Sequence, residues 1–149
     1  MYFDEKIETM PRSAMEELQS QRLQQTIKWV QEKSGFYQKK FADSKVALQD
    51  IEVIQDLNKL PFTTKEELIA NAPLGMLTLE MNSVVRIEPI ESLPPLVMAY
   101  TSADIRHSIE ILARCLVAGG LNISSIIQIY EDYFTPIAQG MQYAAEMIG

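Results

Sequence analysis

Cysteine and histidine occur once each in the 149 residues, as Cys115 and His107. A lone thiol cannot close an intramolecular disulfide, and one cysteine with one histidine leaves no Cys/His set for a structural zinc site. Glycine is sparse at 6 residues, and 13 Lys+Arg stand against 20 Asp+Glu, a formal net charge of −7. No Lys/Arg cluster offsets this balance locally. Nucleic acid and anionic membranes both need a cationic footprint, so neither is an expected partner. No stretch approaches the roughly 18 uninterrupted apolar residues of a membrane span. Residues 1–6 lack the basic start and apolar run of a secretory signal. A soluble chain in a reducing cytoplasm is the expectation.

What remains is globular in character. Hydrophobic residues make up 47% and charged residues 22%, enough to bury a core and to exclude wholesale disorder. The expected organisation is one compact unit overall, with a helical amino-terminal arm over residues 1–83 and a partial α/β subdomain over 84–149. There is no internal repeat and no low-complexity segment.

Hydrophobic periodicity and capping signals place the elements. A long amphipathic helix is expected over residues 11–33, entered at Thr9 and Pro11 and left at Ser34-Gly35. Met15, Leu23, Ile27 and Val30 form its apolar stripe, opposite Glu17, Gln21, Gln24, Gln25 and Lys28. Residues 36–41 read as a short helical turn, and 51–57 as another short helix opened by Asp50. Thr64 with Glu67 has capping-box spacing, predicting a helix over 65–70. Residues 74–82 suit a loop or short strand. Residues 84–87 are β-branched at three of four positions and 96–100 form a short apolar run, so both are predicted strands.

Thr101 and Asp104 make a second capping pattern. After it, Ile105, Ile109, Leu112 and Leu116 repeat at helical spacing, and Gly119-Gly120 ends the helix. Arg106, Glu110 and Arg114 are expected to stack as i,i+4 ion pairs on the opposite face. Residues 126–130 read as a further strand, completing a βαβ unit with a parallel pair. Thr135-Pro136 starts a last helix carrying Ile137, Met141, Ala144, Ala145 and Ile148. A small parallel or mixed sheet flanked by helices leaves apolar surface uncovered, so a homo-oligomer or a partner protein is expected.

Several stretches together resemble the amino-terminal part of phenylacetate-coenzyme A ligases, in the adenylate-forming superfamily. They are Tyr2-Phe3-Asp4 with Ile7-Glu8-Thr9-Met10-Pro11-Arg12, Phe36-Tyr37 and Lys40-Phe41, then Asp56-Leu57 and Lys59-Leu60-Pro61-Phe62-Thr63-Thr64-Lys65-Glu66-Glu67-Leu68. Tyr100-Thr101 and Ala113-Arg114-Cys115-Leu116 continue the pattern. The resemblance runs through the whole chain yet covers only the first part of such an enzyme, so the chain is expected to be a truncated member. It implies joining an aryl acetic acid to AMP with ATP and magnesium, then passing the acyl group to coenzyme A. It also implies a phosphate-binding loop rich in Ser, Thr and Gly, ending Gly-Lys-Pro, between the two predicted strands.

In that place stands Glu88-Pro89-Ile90-Glu91-Ser92-Leu93-Pro94-Pro95. A phosphate cradle needs converging backbone N–H groups, glycines that let the backbone approach, and a cation. Three prolines each remove an N–H and two glutamates bring the wrong sign, so no cofactor is expected to bind this chain. ATP, magnesium and coenzyme A enter only if another polypeptide completes the enzyme.

The acid pocket is the other candidate. Residues 130–134 follow a predicted strand, where α/β proteins tend to hold ligands, and in the resembling enzymes the matching aromatic loop lines the aryl acid pocket. Tyr130, Tyr133 and Phe134 are therefore the candidate aryl acid contacts. The plainer reading packs these rings under a loop and leaves Glu131 and Asp132 in water. Cys115 is expected to be a small buried hydrophobe, His107 a solvated surface residue and Trp29 a partly buried packing residue. The methionines, notably Met76, Met81, Met98, Met141 and Met147, are read as core filling, and Glu66 and Glu67 as capping residues rather than a catalytic pair. Three functions follow. The first is a truncated ligase-like protein, not competent alone, acting through self-association or as a partner subunit. The second is a subunit of a split aryl acid–CoA ligase, and the third a non-catalytic aryl acid-binding module.

Overall fold

The computed structural model describes residues 1–90, 96–132 and 135–149. It divides into two compact units, one of Pro11–Tyr100 and one of Met1–Met10 with Thr101–Gly149.

In the Pro11–Tyr100 unit, α2 (Arg12–Lys33) follows the short α1 (Glu5–Glu8) of the other unit. Pro11 occupies the N-cap of α2 without a side-chain hydrogen bond, while Thr9 instead closes α1. Ser34, almost wholly buried, ends α2 and caps α3 (Gly35–Asp43), its hydroxyl accepting from the Tyr37 amide. The predicted stripe faces inward: Ile27 joins Phe41 and Ile51 in the core, with Leu23, Val30, Tyr37, Val46, Leu48 and Leu60 packed around them. The helix expected over 51–57 is two 3₁₀ turns, Leu48–Asp50 and Ile54–Lys59. Their backbone is stitched to α2, since the Ser20 hydroxyl accepts from the Ile54 amide and the Gln24 amide donates to the Glu52 carbonyl.

The capping box at Thr64 and Glu67 forms as predicted and opens α4 (Lys65–Ala70). Glu67 also receives the ammonium of Lys40 on α3, whose side chain is only 11% exposed. Lys40 lies over the Phe36 ring as well. Tyr37 Oη and Thr63 Oγ1, 3.0 Å apart, tie the same two regions. Residues 74–82 form turns leading to a 3₁₀ turn at Met81–Ser83.

The sheet corrects one expectation. β1 (Arg86–Ile90) and β2 (Leu96–Tyr100) pair antiparallel, with Arg86 opposite Tyr100 and Ile90 opposite Leu96. The fold class of a small sheet with flanking helices stands, but the pair observed is antiparallel and joins β1 to β2, not the parallel pair expected between 96–100 and 126–130. Residues 126–130, expected as the parallel partner of 96–100, pair with no strand among the described residues.

In the other unit, α5 (Ser102–Ala118) begins on the Thr101–Asp104 capping box. It ends in a Schellman motif: Leu121 N–H donates to the Leu116 carbonyl, Gly120 N–H donates to the Val117 carbonyl, and Gly120 takes φ +101°. α6 (Pro136–Ile148) starts at the predicted Thr135 cap. The two helices meet through small residues, with Ala113, Val117, Ala138 and Ala144 buried. A Cβ on Gly140 would stand 2.9 Å from a Leu112 methyl. The expected Arg106–Glu110–Arg114 ladder is replaced: Arg114 reaches Asp4 at 3.6 Å and Glu110 lies 4.0 Å from His107. Asp4, the N-cap of α1, offers a less exposed carboxylate than a helix-face glutamate in water.

Two outcomes test this description. Phe41→Ala removes a ring from the centre of the Pro11–Tyr100 core, and denaturant unfolding should register a loss of about 3–5 kcal/mol. Asp56 accepts from Lys59 and from the Val53 and Glu52 amides, in that order of effect, which holds its carboxyl at about 2 instead of 3.8. The folded pKa is depressed, so its contribution is complete above 3.8 and lost as the pH falls through about 2. Asp56→Asn should flatten that limb of the acid-unfolding curve.

Candidate functional site

The first candidate lies between β1 and β2. Glu88, Pro89 and Ile90 belong to β1, while residues 91–95 fall outside the described residues, so the phosphate-loop reading is visible only at its leading edge. There Glu88 Oε1 accepts from Arg86 Nη1 at 3.2 Å. Arg86 is a cation that pattern reading passed over. It sits two positions from Glu88 on the same strand face, where an ion pair forms readily. Being paired, it weakens the negative field of Glu88 without supplying the glycine backbone a triphosphate needs.

The second candidate is the aromatic segment. Tyr130 is 96% exposed, and Tyr133 and Phe134 lie outside the described residues. Asp132 is used structurally, its carbonyl accepting from both the amide and the hydroxyl of Thr135 at the head of α6. Just before it, exposure alternates with the period of a strand: Ile126 is 98% and Tyr130 96% exposed, against 37% for Ile127 and Ile129. Among the described residues no backbone hydrogen bond involves residues 126–130.

The remaining singled-out residues separate cleanly. His107 is exposed on α5 with Glu110 as its neighbour, as expected of a solvated residue. Cys115 is exposed rather than buried: the inward face of α5 turns on Ala113 and Val117, which puts position 115 on the outer side. Trp29 is also exposed, at the end of α2, with Lys33 Nζ 5.8 Å from its ring centroid. Met81, Met98 and Met147 are exposed while Met76 and Met141 are partly covered, so core filling describes only the latter pair. Glu67 has its carboxyl lowered below 4.5 by the Lys40 hydrogen bond and by the Thr64 amide; Glu66 is lowered too, by its own amide and the Thr64 hydroxyl. Both act in the α4 cap.

No protein-family model matches the chain. It is similar over its whole length to phenylacetate-coenzyme A ligases. It is 35% identical over 147 residues to that of Escherichia coli strain K12, covering 96% of this chain and 33% of the relative. With that of Thermus thermophilus it shares 30% over 153 residues, 100% of this chain and 34% of the relative. The chain thus spans about one third of the relatives it matches, consistent with their amino-terminal part. Its fold is that of part of an adenylate-forming ligase. An open conformation of 2-hydroxyisobutyryl-CoA ligase, in complex with 2-HIB-AMP and CoA, superposes with a TM-score of 0.79 at 20% identity, covering 99% of this chain and 36% of that one.

The exposure of Cys115 is directly measurable. Under native conditions it should react with a thiol reagent at the rate of an unhindered cysteine, whereas slow reaction released only by denaturant would return it to the interior.

Proposed function

We propose that this 149-residue polypeptide is a ligase-derived docking module, which does not activate an acid by itself and works by self-association or as the subunit of a larger assembly. The observation that supports it is the run 126–130, of strand-like composition, with Ile126 and Tyr130 almost fully exposed and backbone groups left unpaired among the described residues. A chain spanning a third of its ligase relatives carries the outline of their fold. At the position of their phosphate-binding loop it has three prolines, two glutamates and neither glycine nor lysine. A carboxylate a few ångströms from a triphosphate costs on the order of 1 kcal/mol or more.

The relatives' names favour a second reading, a split aryl acid–CoA ligase. Another polypeptide would then hold ATP, magnesium and coenzyme A, while this chain lends Tyr130, Tyr133 and Phe134 to the acid pocket. A module that only holds an aryl acid would use the same three residues. The reactions separate these readings. With ATP, magnesium and phenylacetate the chain alone should release no pyrophosphate, and robust turnover would overturn the docking reading. Calorimetric binding of phenylacetate, lost in Tyr133→Ala, would replace it with the aryl acid module.

A further inference from the structure

Residues 121–130, Leu-Asn-Ile-Ser-Ser-Ile-Ile-Gln-Ile-Tyr, contain no charged side chain in a molecule of net charge −7. Residues 126–130 within them carry strand composition, strand-like alternation of exposure and backbone groups that make no hydrogen bond among the described residues. A segment of this kind, in no sheet of the described residues, offers a free edge on which a strand from another chain can form, with ladder bonds giving affinity and side-chain register giving selectivity. The docking-module reading requires some partner, and the present inference, which rests on it, names that partner.

We propose that the edge pairs with the same edge of a second copy, antiparallel, about a two-fold axis through Gln128. The register follows from the residues. Side chains directly opposite each other share a face, and a two-fold axis through one residue keeps the exposed set of Ile126, Gln128 and Tyr130 on one side of the joint sheet. An axis passing between residues would set this exposed set against Ile127 and Ile129, which are the more covered. Centred on Gln128, Ile126 meets Tyr130 and Ile127 meets Ile129, each twice, so all four large apolar residues face apolar residues. Ser125 and Ser124 then stand opposite Glu131 and Asp132.

The neighbouring centres do worse. An axis through Ile129 sets Ile127 against Glu131, and one through Ile127 sets Ser124 against Tyr130. Parallel pairing in register would bring Glu131 onto Glu131 and Asp132 onto Asp132. In the chosen register the two copies of Glu131 are about 20 Å apart along the strands. A neutral seam also avoids like-charge repulsion where the copies touch, while offering no anchor to a cationic peptide. The contact is isologous and closes at two subunits.

The test uses the whole chain. Light scattering should show the mass rising from 16.9 kDa to twice that value as concentration increases. The Gln128→Pro, Ile129→Pro double variant, which withdraws a ladder N–H whichever of the two alternating sets faces the partner, should stay monomeric with an unchanged far-ultraviolet dichroism spectrum and melting temperature, because it breaks no hydrogen bond inside the chain among the described residues. In a Cys115→Ser background, Gln128→Cys places a thiol on the axis and should give a covalent dimer on mild oxidation. Ser125→Cys, too far from its mate to bridge, should not. A chain that remains monomeric at high concentration overturns the inference but leaves the docking reading with a different polypeptide as partner. A Gln128→Pro, Ile129→Pro double variant that still dimerises, or covalent dimer from Ser125→Cys rather than Gln128→Cys, overturns it as well. Turnover by the monomer would instead sink the docking reading itself.

Discussion

A β-strand exists only by virtue of its neighbour, and that constraint governs this molecule more than any single contact. Each backbone N–H and C=O needs a partner or water. Helices α2 to α6 answer the demand within themselves and at their caps, and β1 and β2 answer it with each other. Residues 126–130 have strand chemistry and no such answer among the described residues. Their exposure makes the polypeptide's association state the central question about what it does.

The same constraint separates what could be read in advance from what could not. Capping boxes lie within four consecutive residues, so Thr64 with Glu67 and Thr101 with Asp104 were legible, as were the exit at Gly119-Gly120 and the start at Thr135-Pro136. The stripe on α2 was legible because burial of Ile27 against Phe41 and Ile51 leaves a period in the sequence. Pairing is a non-local choice. The composition of 84–87, 96–100 and 126–130 identifies strand material but not which segment takes which neighbour: β2 pairs with β1, and 126–130 joins no strand among the described residues. Ion pairs behaved likewise: helical spacing joins Arg106, Glu110 and Arg114 on paper, while the fold brings Asp4 to Arg114 from a distant part of the chain.

Legibility of the candidate site was narrower. Which residue types are missing from the 88–95 connection is a fact of the sequence, and the structure adds the Arg86–Glu88 pair at its edge. Tyr130 stands in solvent, a position open to a ligand or a partner and built for neither by its surroundings. Cys115 shows how one register step on a helix decides exposure: Ala113 and Val117 turn inward and the position between them turns out. The likeness to acid–CoA ligases supplies the family context for these residues, across a third of those enzymes.

Glu67 carries two duties that a single proton would end together. Its carboxylate closes the first turn of α4 and holds Lys40 of α3. A helix of six residues has too few turns to persist on its own, so it leans on that carboxylate together with the Thr64 hydroxyl and the Tyr37–Thr63 contact. Protonation of Glu67 would weaken the capping box and the tie between α3 and α4 in one step.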